Sequence, residues 1–113
     1  MGADLLIVYY GIRYEVPEAE IEQIENEKHN LIIAATQAKL NYFSARFDDD
    51  ITKPEVHYLF IGTEMGIFGR EYQLQKQINA EALISLMTDT QAKLRNAKIN
   101  GEPHLWLQFR PDY

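Results

Sequence analysis

The sequence contains no cysteine, and this absence excludes several kinds of chemistry at once. Without a thiol the chain forms no disulfide, offers no thiolate nucleophile, and cannot build a cysteine-based zinc site or an iron–sulfur cluster. Proteins of reducing compartments do without disulfides, so the absence also favours a cytoplasmic location.

The chain also lacks long hydrophobic runs, an excess of positive charge and low-complexity segments. The first apolar run covers only Leu5 to Tyr10, far fewer than the roughly 18 residues of a membrane helix. Eleven basic residues against 17 acidic ones give a formal charge of −6, so the phosphate backbone of a nucleic acid would be repelled. Six glycines and four prolines indicate no collagen-like or disordered tract. We therefore expect neither membrane insertion nor nucleic-acid binding.

The chain does contain enough apolar residues for one buried core. Hydrophobic residues make up 46% of its 113 positions, so we expect a single domain spanning residues 1–113. Negative charge is concentrated between Glu15 and Glu55, where ten acidic residues face four basic ones. A segment of this kind attracts cationic surfaces, so a basic partner is one expectation.

Hydrophobic periodicity predicts the first half of the fold. Residues 4–16 begin with a continuous β-favouring run and continue in alternation, which indicates a central strand with a bulge or bend at Gly11. Pro17 opens a glutamate-rich helix, because proline is favoured at the first helical position. Asn30 is the expected N-cap of a second helical stretch over residues 31–40. We therefore expect two short helices or one kinked helix, although a strand over residues 31–33 remains an alternative.

The second half is predicted to contain strands in succession and then a long helix. Alternation over residues 42–47, an apolar run over 56–62 and a second alternation over 71–78 each indicate a strand. Glycines between the last two strands are expected to form the turn of a hairpin. Asn79 is the expected N-cap of the clearest helix in the chain, which ends before Gly101.

The final strand completes the predicted architecture. Residues 104–110 alternate, and Leu105, Leu107 and Phe109 are expected to face the interior. The resulting order, β-α-(α)-β-β-β-α-β, predicts an α+β fold. We expect a mixed, mostly antiparallel five-stranded sheet with two or three helices on one face. This pattern resembles a ferredoxin-like arrangement with one additional strand.

Signatures of catalysis and metal binding are weak. Neither serine lies in a Gly-x-Ser-x-Gly turn, and the glycine-rich segment 62–69 lacks the Lys-Ser/Thr ending of a phosphate-binding loop. The run Asp48–Asp50 lacks the glycine and the glutamate of a calcium loop. Glu55 and His57 are a close pair of metal-ligand type, but a site needs further ligands. We therefore expect no catalytic residue, no metal site and no cofactor.

The sheet face that the helices leave open is the predicted binding surface. Its mixture of aromatic, arginine and amide side chains is typical of the centre of a protein interface. We therefore expect a non-enzymatic protein that binds another protein, as an adaptor, an inhibitor or an immunity-type partner does, through this face or through the acidic segment. The same face could be buried in a homodimer. Its predicted side chains are Tyr42, Arg46, Gln73, Gln75, His104, Trp106 and Arg110.

An alternative function from a different class is a small-molecule-binding domain or an acid–base enzyme. Its pocket would lie between the sheet and the helices and would be lined by Tyr10, His57, Tyr58 and Glu64. Tyrosine hydroxyls and a histidine among apolar walls are typical of such pockets.

Overall fold

The computed structural model of the chain describes residues 4–47 and 56–110. The elements in these ranges are β1 (Leu5–Glu15), a 3₁₀ turn (Glu18–Glu20), α1 (Ile21–Glu25), α2 (Asn30–Gln37), β2 (Asn41–Phe47), β3 (Val56–Gly69), α3 (Ala80–Asn96) and β4 (His104–Arg110). The predicted α+β class is confirmed. The prediction of five strands is wrong, because the described sheet has four strands.

The sheet has the strand order β2-β3-β1-β4, and each neighbouring pair is antiparallel. The predicted mixture of parallel and antiparallel pairs is therefore corrected. β2 and β3 are consecutive among the described elements, whereas helices connect β1 to β2 and β3 to β4. This connectivity and order are those of a ferredoxin-like sheet, without the additional strand.

The central strands β1 and β3 pair through two glycines that lie opposite each other. Gly11 lies directly opposite Gly62, and a Cβ atom added to Gly11 would lie 2.1 Å from the carbonyl oxygen of Ile61. The bulge predicted at Gly11 is instead a shift of register between Val8 and Tyr9. Gly11 is therefore required for the approach of the two backbones at this position.

β3 continues through the segment in which the sequence predicts a glycine-rich turn. It extends to Gly69, and residues 70–79 form an irregular connection in place of the predicted strand 71–78. Gln73 makes an isolated bridge to Phe68, and Leu74 is exposed. Glycine is tolerated in this strand because Gly62 faces another glycine across the sheet.

Side-chain caps fix where the longer helices begin. Asn79 accepts a hydrogen bond from the backbone N–H of Ala82 at 2.7 Å, which confirms the predicted start of α3. The start of α2 differs from the prediction by one residue, since His29 is the N-cap and Asn30 is already helical. The prediction of two short helices in the first crossover is confirmed by α1 and α2.

Apolar side chains form a cluster on each face of the sheet. Aliphatic residues of β1 and β3, such as Ile12 and Ile61, pack with Ile32 of α2 and Leu94 of α3. The opposite cluster is mainly aromatic and contains no residue of a described helix. We call this second side the helix-free face; its cluster consists of Tyr9, Phe43, Ala45, Val56, Tyr58, Phe60 and Trp106.

The apolar side chains of β4 are not buried, although they lie on the helix side. Leu105 is opposite Tyr10 of β1, whose hydroxyl bonds to Gln91 of α3. Leu105, Leu107 and Phe109 are nevertheless exposed, so the prediction that they fill the interior is wrong. The alternation of β4 placed these side chains on the correct side of the sheet. They stay exposed because β4 is an edge strand, whereas α3 packs on β1 and β3.

Replacing Gly11 with alanine should weaken the whole sheet, because the new methyl group would overlap the backbone of β3. We expect Gly11→Ala to lower the free energy of unfolding by about 3 kcal/mol or more, measured by urea denaturation. Ser44→Ala, at an exposed position of β2, is the matched control and should change stability by less than about 0.5 kcal/mol. Equal denaturation midpoints for Gly11→Ala and wild type would refute the role of the glycine pair.

Candidate functional site

Four aromatic rings, one from each strand, meet on the helix-free face. Phe60 lies at the centre and has 0% of its surface exposed. The ring of Phe43 stacks on it with a centroid separation of 4.6 Å, while Tyr9 and Trp106 meet it edge-on at 5.3 and 6.3 Å. Both geometries are favourable for aromatic pairs. The cluster therefore ties the four strands together on a side that no described helix covers.

The guanidinium of Arg13 lies at the border of this aromatic cluster. Its central carbon is 3.9 Å from the ring centroid of Tyr58 and 4.6 Å from that of Trp106. A guanidinium attracts the face of an aromatic ring electrostatically, and it also packs well as a flat group. Arg13 is therefore a partly buried cation whose orientation is fixed by two rings.

Trp106 lies on the predicted face, but it is partly buried and not fully exposed. Its indole N–H donates a hydrogen bond to the carbonyl oxygen of Gly11 at 3.0 Å. The ring of His104 is also close, with a centroid separation of 5.9 Å. Trp106 therefore presents only part of its ring to a ligand, in a fixed orientation.

The other predicted surface residues of β4 share the face of Trp106. His104 and Arg110 are separated from Trp106 by even numbers of residues, and they lie opposite Gly11 and Leu5 of β1. His104 is exposed and Arg110 is partly exposed. These three predicted residues are thus brought together on one strand.

The two predicted residues of β2 lie on the opposite side of the sheet. Tyr42 packs against the aliphatic cluster, and its hydroxyl donates a hydrogen bond to Glu27 at 3.0 Å. This hydrogen bond raises the pKa of Tyr42 above its ordinary value. Arg46 lies opposite His57 on the same side. The alternation of β2 was recognised, but its two sides were assigned the wrong way round, because an apolar cluster covers each face of the sheet and the apolar side of β2 joins the helix-free one.

Gln73 and Gln75 do not belong to the sheet surface either. Both lie exposed in the connection between β3 and α3, where the structure has no strand. Arg13 and Tyr58, in contrast, were not predicted for this face. Their contact depends on the register of β1 against β3 and β4, which alternation within a single strand does not reveal.

The four residues of the alternative pocket do not line one cavity. Tyr10 accepts a hydrogen bond from the amide of Gln91 at 2.7 Å on the helix side, whereas Tyr58 lies under Arg13 on the helix-free face. Tyr10 lies opposite Thr63 of β3. His57 is six residues from Thr63 on the same strand, a distance of roughly 20 Å, so it is far from Tyr10. Glu64 is exposed.

His57 is unusual because a buried nitrogen of its ring lacks a partner among the described residues. Within residues 4–47 and 56–110 no group hydrogen-bonds to Nδ1, and an unpaired polar atom costs free energy in a buried setting. Burial lowers the pKa of His57, and the positive charge of Arg46 lowers it further. The imidazole of His57 therefore stays neutral down to a lower pH than the imidazole of an exposed histidine does. The acidic candidates Asp48–Asp50 and Glu55 lie outside the described residues.

A second histidine belongs to a hydrogen-bonded cluster that the sequence did not suggest. Glu20 accepts hydrogen bonds from the hydroxyl of Tyr14, at 3.0 Å, and from Nε2 of His29. Nδ1 of His29 accepts from the backbone N–H of Leu31 at 3.1 Å. Both ring nitrogens of this buried histidine are thus occupied, and neither remains for proton transfer to a substrate. The cluster joins β1 to the first crossover and serves the fold.

A groove of about 510 Å³ continues the helix-free face around the edge of the sheet. β4 pairs with β1 only as far as Gly11, so the groove lies beside the following residues of β1. Tyr14, Lys98 and Glu102 contribute to its lining, and Trp106 borders it. A chain segment bound over Trp106 could therefore extend into this groove.

Comparison with known proteins yields no relative: no family model, no curated protein and no solved structure matches the chain. None of the described helices is both long enough and apolar enough to cross a bilayer.

Replacing Glu20 with glutamine removes the charged acceptor of Tyr14 and His29. Hydrogen bonds from His29 and Tyr14 lower the pKa of Glu20 below its ordinary 4.5. Its stabilising effect is therefore complete above that value and is lost as the pH falls through the lowered pKa. We expect Glu20→Gln to be less stable than wild type near pH 7 and the difference to shrink near pH 3, measured by urea unfolding.

The matched control is Glu22→Gln, a neighbouring exposed position, which should track wild type at both pH values. A stability difference for Glu20→Gln that is the same at both pH values would contradict the assigned role of the carboxylate.

Proposed function

We propose that the protein binds another protein through the helix-free face, as an adaptor, an inhibitor or an immunity-type partner does. The observation that carries this proposal is the guanidinium of Arg13, held between the rings of Tyr58 and Trp106. Arginine, tyrosine and tryptophan are the residue types that contribute most of the binding energy in protein interfaces. Here they lie in contact on a sheet face that no described helix covers.

The charges near Trp106 favour a partner segment that carries carboxylates. His104 and Arg110 follow β4 on the same face, and Arg13 lies beside them. Of the acidic side chains of this face, Glu15 and Glu64 belong to β1 and β3, while Glu102 precedes β4 and lies 4.0 Å from His104. The guanidinium groups of Arg13 and Arg110 would orient an acidic segment along β4, although the protein as a whole is negative.

A second binding surface is supported by the exposed glutamates of the first crossover. Glu18, Glu22 and Glu25 all point into solvent from the 3₁₀ turn and α1. This arrangement suits a basic partner, as the charge of the segment predicts.

The pocket function has no comparable support, because Tyr10 and Tyr58 lie on opposite faces. The proposal includes a cytoplasmic location, which the lack of cysteine favours.

The test uses a photo-crosslinking amino acid at position 104, which is exposed on the helix-free face. We expect a specific protein other than a second copy of this chain to crosslink from position 104 and not from position 88, an exposed site on α3. With the captured protein purified, Arg13→Ala should weaken binding by about 2 kcal/mol, roughly thirtyfold in Kd, measured by calorimetry. Arg13→Lys should restore little, because an ammonium does not stack as a guanidinium does.

Lys93→Ala, which removes an exposed cation from α3, is the control for charge and should bind as wild type does. Circular dichroism confirms that each variant is folded. The proposal fails if the same proteins crosslink from positions 104 and 88, or if folded Arg13→Ala binds the captured protein with unchanged affinity.

A further inference from the structure

β4 is an edge strand of the described sheet. It pairs with β1 along one side, and no described strand lies along its other side. A strand edge presents backbone N–H and C=O groups that can pair with another chain. Proteins commonly protect such edges with charged residues, prolines or bulges, yet within β4 only the terminal Arg110 is permanently charged.

The helix-side surface of β4 is apolar over its whole length. Leu105, Leu107 and Phe109 expose 47%, 63% and 54% of their surfaces. These three side chains occupy alternate positions of one strand and therefore form a continuous row. A row of three large exposed hydrophobic side chains, beside an edge that no described strand pairs with, is unfavourable in water unless another surface covers it.

α3 extends this apolar row. Gln91 of α3 bonds to Tyr10, the β1 residue next to Leu105, so this flank of α3 faces β4. Ile84 lies two helical turns earlier on the same flank, and 59% of its surface is exposed. Ile84 thus adds an exposed apolar side chain on the same flank of α3 as Gln91.

We propose that β4 pairs with β4 of a second copy of this chain, in antiparallel register centred on Leu107. The two copies are then related by a two-fold axis, and one continuous eight-stranded sheet results. Leu107 meets Leu107 of the second copy, and Leu105 meets Phe109 on either side of it. The exposed row of each copy is covered by the same row of the other.

The occupant is a second copy because the strand is complementary to itself. The central register places apolar residues opposite apolar residues at every helix-side position. On the other face it places Arg110 diagonally next to Glu102 of the second copy, within reach of a long side chain. Glu102 is well exposed and lies 4.0 Å from His104. Arg110 itself lies opposite His104 of the second copy, and the diagonal contact with Glu102 is the one that brings opposite charges together at each end of the interface.

This pairing is independent of the proposed function and complements it. Arg13 lies on β1, outside the β4 edge, so its variants should leave the dimer intact. Because the two helix-free faces continue into each other across the new strand pair, the dimer presents Arg13 and Trp106 twice on one surface. A partner with two acidic segments would gain in avidity from this arrangement.

The first experiment measures the mass of the full chain in solution by analytical ultracentrifugation and light scattering. We expect a dimer for wild type and a monomer for Leu107→Lys, with the dissociation constant raised roughly a hundredfold or more, since the interface contains each substitution twice. Ile33→Lys is the matched control, because Ile33 is a large hydrophobic residue of α2 that is 45% exposed. It should remain a dimer.

The second experiment tests the register. A single cysteine can be placed without side reactions, because the chain has none. Under mild oxidation Leu107→Cys should form a disulfide-linked dimer, whereas Ile33→Cys should not. Glu102→Arg and Arg110→Glu should each weaken the dimer, and the double variant should recover most of the loss.

Three results would overturn the proposal. One is a wild-type chain that stays monomeric up to its solubility limit. Another is a dimer that Leu107→Lys leaves intact. The third is efficient crosslinking of Ile33→Cys in place of Leu107→Cys. An intact dimer whose Arg13→Ala variant still binds its partner normally would instead contradict only the proposed function.

Discussion

The contact between Gly11 and Gly62 is the constraint on which the rest of the sheet depends. β1 and β3 pair over the whole of β1, and at this position a methyl group on either strand would enter the backbone of the other. Because neither residue has a side chain, the two strands stay close on both sides of the contact. Both faces of the same strand pair can then be covered, one by helices and the other by aromatic rings.

The two faces are stabilised in different ways. Aliphatic side chains from helices and strands interlock on one side, as in most α+β domains. On the other side the rings of Tyr9, Phe43 and Trp106 cover Phe60, and the guanidinium of Arg13 lies over the rings at the border. This face is therefore apolar inside and polar at its surface. That combination allows it to remain in water and still offer contact area to a partner.

Much of the fold follows from local patterns, whereas the site does not. Apolar runs and alternation predicted β1, β2, β4 and α3, and Asn79 predicted the start of α3 because capping is a local interaction. The prediction of a strand at 71–78 is wrong because alternation of apolar and polar residues also occurs in irregular segments. The exposure of Leu107 was missed because alternation reveals a side of the sheet and not what covers it. Arg13 was missed because its contacts cross strands that are distant in sequence.

The position of Arg13 between two rings has a consequence for the thermodynamics of association. A long, flexible side chain on a protein surface ordinarily loses rotational entropy when a ligand immobilises it, at a cost of about 0.5–1.5 kcal/mol. Here Tyr58 and Trp106 already restrict the guanidinium in the unliganded protein. The entropy cost of ordering Arg13 is therefore already included in the free energy of folding. A ligand then binds a guanidinium whose N–H donors already have fixed directions.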